Sequence, residues 1–167
     1  MDIIVARDDA WGIGKDGELL RRISADMKRF RAMTTGNVLI VGRKTLESFP
    51  DGNPLPERVN IVLTKNMEYP AEGVVLCHSL EKLPELLHAY EGKGVFVAGG
   101  GSIYRQLLPL CRRAYVTHIH AAFPADTSFP SLDKDPDWIL VEKGETQEEK
   151  GVKFSFDLYE NRRFTGK

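Results

Sequence analysis

The sequence predicts an α/β fold: one domain built on a mixed, mostly parallel sheet with an antiparallel edge. Two observations carry this reading. Short apolar runs rich in β-branched residues alternate with segments of helical period, the pattern of strands covered by helices. Two later runs, around Trp138 and Tyr159, instead read as an antiparallel pair that closes the sheet. No internal repeat, low-complexity tract or linker divides the chain, so residues 1–167 are read as a single domain.

Taken in order, residues 2–6 are a strand, and 8–22 a long loop containing Gly12, Gly14 and Gly17. Ser24 is placed to N-cap a helix that runs to about Met33. A buried-type strand at 38–41 leads through Gly42 to a short helix at 44–48, then to a turn-rich loop at 50–56 with three prolines. Strands follow at 60–64 and 74–77, then a helix at 80–90 with Pro84 in its first turns. The strand at 95–98 runs into Gly99-Gly100-Gly101 and a helix at 102–108, followed by a strand at 114–120. The closing pair is 138–143 and 153–159, joined through Lys150-Gly151.

Composition narrows the class. Hydrophobic residues make up 42% and charged residues 28%, ordinary values for a globular protein. A net charge of -1 argues against a general nucleic-acid binder. Cys77 and Cys111 form no CxxC pair and no His–Cys cluster has ligand spacing, so we expect inert thiols and no metal. Met1-Asp2-Ile3-Ile4 has no basic region of the secretory type, and no apolar run approaches the roughly 20 residues of a membrane span. The expectation is a cytoplasmic protein without nucleic-acid or membrane partners.

Gly12-Ile13-Gly14-Lys15-Asp16-Gly17 matches G-x-G-x-x-G literally, yet its context fails. The dinucleotide fingerprint must open a helix directly. Here Asp16-Gly17 is a turn dipeptide and the next helix waits for Ser24. These glycines read instead as hinges of a mobile loop.

Asp26 is the most informative single residue. Successive helical residues turn by about 100°. On that wheel Ile23, Met27, Phe30, Met33 and Thr34 form one stripe with Asp26 inside it, while Ala25, Lys28 and Arg29 fall on the polar side. A carboxylate facing a core is costly unless paired or protonated, and burial raises its pKa toward that of a proton donor. Position alone is equally served by a first-turn acid complementing the helix dipole.

Two further motifs tip that balance. Val38-Leu39-Ile40-Val41-Gly42-Arg43-Lys44-Thr45 and Val95-Phe96-Val97-Ala98-Gly99-Gly100-Gly101-Ser102 each end a buried strand in glycine and open a helix. Bare glycine admits a ligand to the backbone, and the amides beyond it favour an anion. Two such junctions on one sheet suit the two ends of a dinucleotide; tight turns beside a solvated basic pair are the plainer alternative. Thr64-Lys65 and His78 follow the next strands, and a 2′-phosphate would be favoured if they gather beside Arg43. Arg58, behind Pro54-Leu55-Pro56, could clamp a carboxylate or simply be solvated. His118 and His120 lack a third ligand, Trp11 and Trp138 read as packing residues, and Lys28, Arg29 and Arg31 as a solvated helix face.

These segments resemble the dihydrofolate reductase family over nearly the whole chain. The matching stretches are Trp11-Gly12-Ile13-Gly14, Ser24-Ala25-Asp26-Met27 with Phe30, Gly42-Arg43-Lys44-Thr45-Leu46-Glu47-Ser48, Pro54-Leu55-Pro56, Gly99-Gly100-Gly101-Ser102-Ile103-Tyr104, Thr117-His118-Ile119, and Asp126-Thr127 with Phe129-Pro130, in the family's order and spacing. The resemblance implies an eight-stranded mixed sheet with about four helices, and NADPH-dependent reduction of dihydrofolate. Asp26 would hold the pterin and promote protonation of N5, supported by Thr117. Ile4, Val5, Met27, Phe30, Phe49, Leu55, Ala98 and Tyr104 would complete the substrate site, and Arg58 would take the carboxylate of the glutamate tail. Ala6, Ile13, Gly14, Gly42, Arg43, Lys44, Thr45, Leu63, Thr64, Lys65, His78, Gly99, Gly100, Gly101, Ser102, Ile103, Tyr104 and Thr127 would contact the cofactor. The link Gly99-Gly100 would be a cis peptide. The implied partners are dihydrofolate and antifolate inhibitors, and the implied state is a monomer. Arg21 and Ser24 depart from the family's commonest loop pattern, which has an aromatic or aliphatic residue and a proline there. The reductase of riboflavin biosynthesis shares the sheet and cofactor but requires neither the acid nor an Arg58-type clamp. A non-catalytic nucleotide-binding module would keep the glycine junctions and likewise need no acid on an apolar face.

Overall fold

A computed structural model describes residues 1–70 and 72–164, so Ala71 and residues 165–167 of the expected domain lie outside the described residues. In chain order the strands and α-helices are β1 (Asp2–Arg7), β2 (Gly12–Lys15), β3 (Glu18–Leu19), α1 (Ser24–Thr34), β4 (Val38–Gly42), α2 (Arg43–Glu47), β5 (Val59–Leu63), β6 (Val75–Cys77), α3 (Leu83–Leu87), β7 (Val95–Val97), α4 (Gly101–Leu107), β8 (Arg113–Ile119), β9 (Thr127–Ser128), β10 (Trp138–Lys143), β11 (Gln147–Glu149) and β12 (Val152–Asn161).

Eight strands lie in the order β10-β12-β8-β1-β7-β4-β5-β6, with β11 pairing the first residues of β12. From β8 to β6 every pairing is parallel; β12 is antiparallel to both β8 and β10. This is the expected mixed sheet with its antiparallel edge. Its central strands carry apolar side chains on both faces, as helix-covered parallel strands must. Ile4, Leu39, Val41, Val62 and Phe96 point to the face covered by α1 and Leu46. Ile3, Val38, Ile40, Ile61, Val97 and Val116 point to the other, with Leu83, Leu107, Trp11 and Tyr159. Fully burying one such side chain contributes about 1.5–3 kcal/mol.

Three expectations need correction. The segment 8–22 is not irregular: β2 and β3 form a hairpin across Asp16-Gly17, and β9 adds a third strand. Asp16 (φ 52°) and Gly17 (φ 79°) both take left-handed backbone, the geometry a two-residue hairpin turn demands. The helix at 80–90 is divided into a 3-10 turn at Leu80–Lys82, α3 and a 3-10 turn at His88–Tyr90. Pro84 offers no amide to the carbonyl four residues back, so the start cannot close as α-helix. Finally, Lys150-Gly151 joins β11 to β12, not β10 to β12; β10 pairs the distal half of β12 through Trp138↔Asn161 and Leu140↔Tyr159.

Candidate functional site

Strands β8, β1, β7, β4 and β5 run parallel, so their carboxyl ends share one edge of the sheet, where parallel α/β sheets leave a crevice. The Asp26 side chain faces β8, and Thr117 Oγ1 donates to its Oδ1 at 2.5 Å. Burial pushes the Asp26 carboxyl above the usual carboxylate range, against the opposing pull of the Thr117 hydrogen bond and the positive charge of Arg29. Desolvation therefore wins, and the acid on the apolar face is real. The stripe around it is only partly packed. Ile23 and Thr34 are buried, but Met27 is 38% exposed, and Phe30 and Met33 are half-buried against the sheet with Phe49, Leu55 and Ala98.

Arg29 contradicts its placement on a solvated face. Its guanidinium lies 4.4 Å over the Phe156 ring and 5.8 Å from that of Tyr115, a cation–π arrangement that covers the sheet beyond Asp26. Lys28 and Arg31 are exposed as expected.

The start of α1 is held from afar. Ile23 occupies the N-cap position and no side chain of the helix itself caps it, so Ser24 does not play the expected part. Instead Glu149 on β11 accepts from the amides of Ser24 (2.7 Å) and Ala25 (3.2 Å). Those bonds hold its carboxyl below the usual glutamate range. A free carboxylate satisfies orphan amides as well as a local cap would.

At the other rim, Arg58 is half-buried, its Cζ 6.0 Å from the Phe30 ring and its Nη2 3.4 Å from Thr35 Oγ1. Its Nε is buried without a protein partner, and burial together with the nearby charge of Arg31 lowers its pKa. Asn60 fixes this rim: its side-chain amide donates to the carbonyls of Leu55 (2.9 Å) and Arg58 (3.1 Å), and its Oδ1 accepts from the Leu55 amide (3.2 Å).

The two glycine junctions meet in a cavity of about 500 Å³ lined by Gly42, Arg43, Lys44, Thr45, Leu63, Thr64, Gly100, Gly101, Ser102, Ile103, Arg105 and Asp126–Ser128. Glycine is required at its walls. A Cβ on Gly42 would lie 3.0 Å from Ile103, and one on Gly101 would lie 2.9 Å from Thr127. Gly42 donates to the Gly99 carbonyl at 2.8 Å, which locks the junctions together, and Gly99-Gly100 is a cis peptide.

Other expected residues lie apart from this cavity. Tyr104 is buried and donates to the Ile4 carbonyl at 2.7 Å. Val5 points into the opposite core because side chains alternate along β1, so only its main chain faces the crevice. Ala6 packs with Ile23 and Ala25 beside α1, whereas Ile13 belongs to the opposite core. Gly14 sits in the hairpin, pairing Leu19 and Thr127. His78 Nδ1 lies 2.8 Å from the Thr64 carbonyl, so these two do gather, but His78 lines a neighbouring cavity under α3 and Lys65 is exposed. Arg21 is exposed and makes no ion pair with the described residues.

Sequence reasoning missed Asn60, Arg105 and Glu149. Arg105 and Glu149 act on the main chain of distant segments, and Asn60 on main chain within five residues of itself; apolar periodicity signals none of these contacts. It also missed the anchor of the hairpin, where Asp8, fully buried, accepts from the amides of Ala10, Gly12 and Phe123 at 2.8–2.9 Å. Asp126 accepts from the Asp16 amide at 2.9 Å and so ties the hairpin turn to the segment before β9.

Fold and site together define an α/β protein with an acid and a glycine-walled, basic cavity at the carboxyl ends of one parallel sheet. The chain belongs to the dihydrofolate reductase family, whose model matches residues 1–162. It is 38% identical to the dihydrofolate reductase of Staphylococcus haemolyticus over 162 residues, covering 96% of this chain and 95% of that one. Against the Rattus norvegicus enzyme it is 36% identical over 182 residues, with 97% of each covered. The solved dihydrofolate reductase of Enterococcus faecalis, complexed with NADP(H) and RAB-propyl, superposes with a TM-score of 0.83 at 36% identity, covering 96% of this chain and 95% of that one.

Proposed function

We propose that this protein reduces 7,8-dihydrofolate to 5,6,7,8-tetrahydrofolate with NADPH, Asp26 promoting protonation at N5. The observation that carries the reading is a half-buried Asp26, hydrogen-bonded to Thr117 on β8 of the same sheet whose β4 and β5 ends line the glycine-walled basic cavity. NADPH, when bound, supplies the hydride to C6.

The residues present fit that dinucleotide. Walls that a Cβ would fill allow close approach of a phosphate chain, and the Arg43, Lys44 and Thr45 side chains supply cations and a hydroxyl. Asp26 accepts from the amino-pyrimidine edge of the pterin, and burial shifts its pKa upward, toward that of a proton donor. Thr117 orients the acid by donating to one oxygen and leaves the other free. Phe30, Phe49 and Leu55 exclude water from the ring, and Arg58, its Nε unsatisfied, takes the carboxylate of the glutamate tail. The β2–β3 hairpin serves as a lid over the reacting centre. Residues 1–167 act as one domain and one monomer in the cytoplasm, serving one-carbon metabolism and open to antifolate inhibitors.

The test is the loss of NADPH absorbance in the near ultraviolet when dihydrofolate is added. The proposal expects turnover that requires both compounds. No oxidation of NADPH with dihydrofolate present would overturn it.

A further inference from the structure

Arg105 is a cation that the folate reading leaves without a role. It lines the glycine-walled cavity and makes no ion pair with the described residues. The Asp126 carboxylate, on the same wall, is already engaged by the Asp16 amide and the Thr127 hydroxyl. The two ends of the Arg105 guanidinium face different things. Nη2 donates to the carbonyl of Ser128 at 2.9 Å and to its hydroxyl at 3.2 Å. Nη1 has no hydrogen-bond partner among the described residues, and it stands 3.2 Å from where a Cβ on Gly101 would lie. The missing side chain of Gly101 is thus what lets the guanidinium reach across to β9.

Ser128 and Thr127 are the strand that completes the hairpin sheet, paired to Gly12 and Gly14 of β2. One side chain on α4 therefore holds the hairpin sheet at its edge while presenting unused N–H groups to the cavity. Guanidinium is suited to both tasks, because its planar fork can serve a carbonyl and an anion at once. We infer that Arg105 couples the cofactor to the hairpin sheet: Nη2 fastens β9, and Nη1 takes an oxygen of the dinucleotide's diphosphate, so that binding tightens the sheet. The second half rests on the NADPH reading; the first does not.

The two halves separate by experiment. Amide hydrogen exchange of Gly14, Thr127 and Ser128 is measured in free and NADPH-loaded protein, with Val97 and Val116 as core controls. In Arg105→Met the free protein should exchange several-fold faster at the hairpin sheet and equally at the controls. Its affinity for NADPH should fall about three- to tenfold at low salt, with a shallower dependence on salt than the parent. Arg105→Lys keeps the charge but not the fork, so it should recover most of the affinity and little of the hairpin protection. Unchanged hairpin exchange in free Arg105→Met overturns the fastening. Unchanged affinity and salt dependence overturn the diphosphate contact. If the parent itself fails to bind NADPH, the cofactor reading is what falls, and the exchange of the free protein still decides the fastening.

Discussion

At the scale of single residues, two groups of the candidate site are held in tension with their surroundings. Asp26 is destabilised as a carboxylate by burial and only partly compensated by Thr117 and Arg29. Its folded-state pKa lies above the unfolded value, so the folded state binds the proton more tightly. The cost of ionising it is absent below the unfolded pKa and is complete once pH has risen past the folded one. Asp26→Asn should therefore raise Tm at neutral pH, on the order of 2 °C, with the gain shrinking in acid. The same variant should slow hydride transfer by roughly 10²–10⁴-fold, and the parent's activity should decline as pH rises. Thermal scans at several pH values and single-turnover kinetics check both; near-normal turnover in the variant would remove Asp26 from the mechanism. Arg58 is the opposite case, a cation whose Nε has no protein partner. Arg58→Leu should weaken dihydrofolate binding by about 10- to 150-fold, or roughly 1.5–3 kcal/mol, without altering NADPH binding. A substrate lacking the glutamate tail should show no such loss, and an equal loss would make Arg58 structural.

At the scale of elements, the acid is only as well placed as its helix. The first amides of α1 are answered by Glu149, whose depressed pKa means its contribution is present above the ordinary glutamate range and is lost as pH falls through the folded value. Glu149→Gln should leave the sheet intact, lower Tm slightly at neutral pH and converge with the parent in acid. It should also lower kcat by a few-fold through looser placement of Asp26, which stopped-flow kinetics can read. Here the sequence was partly legible. Periodicity located α1, α4 and the central strands to within two residues, because apolar burial writes itself into local spacing. Asp16-Gly17 showed the turn, yet the two short strands flanking it were unreadable, since Gly-Ile-Gly-Lys and Glu-Leu carry no alternation of their own. The cap by Glu149 was invisible because it joins segments that only the finished fold brings together. The bracing by Asn60 stays within five residues, yet a side chain bonded to main chain leaves no mark in apolar spacing. Arg29 was misread because a long side chain can lie back over aromatic rings from a nominally polar position.

For the whole molecule, the site is an agreement among elements from both ends of the chain. The acid comes from α1, its partner from β8, the basic wall from α2, and the glycines from the loops after β4 and β7. Arg43 presently pairs with Glu47 at 2.7 Å, both side chains more than 40% exposed, so the pair is weak and can yield to a phosphate. NADPH should accordingly be preferred to NADH, with a preference that narrows as salt screens the exposed charges. Equal kcat/KM for the two would contradict the assignment of Arg43, Lys65 and His78. The Glu149 cap has one more consequence, for synthesis. Ser24 and Glu149 are 125 residues apart in the chain. At about 5–20 residues per second, roughly 6–25 s separate the two as they leave the ribosome. Throughout that interval the helix bearing Asp26 has no cap, and β8 has no β12 beside it. A nascent chain stalled before Gln147 should consequently remain open to protease around Ser24, and release of the last hairpin should close that window.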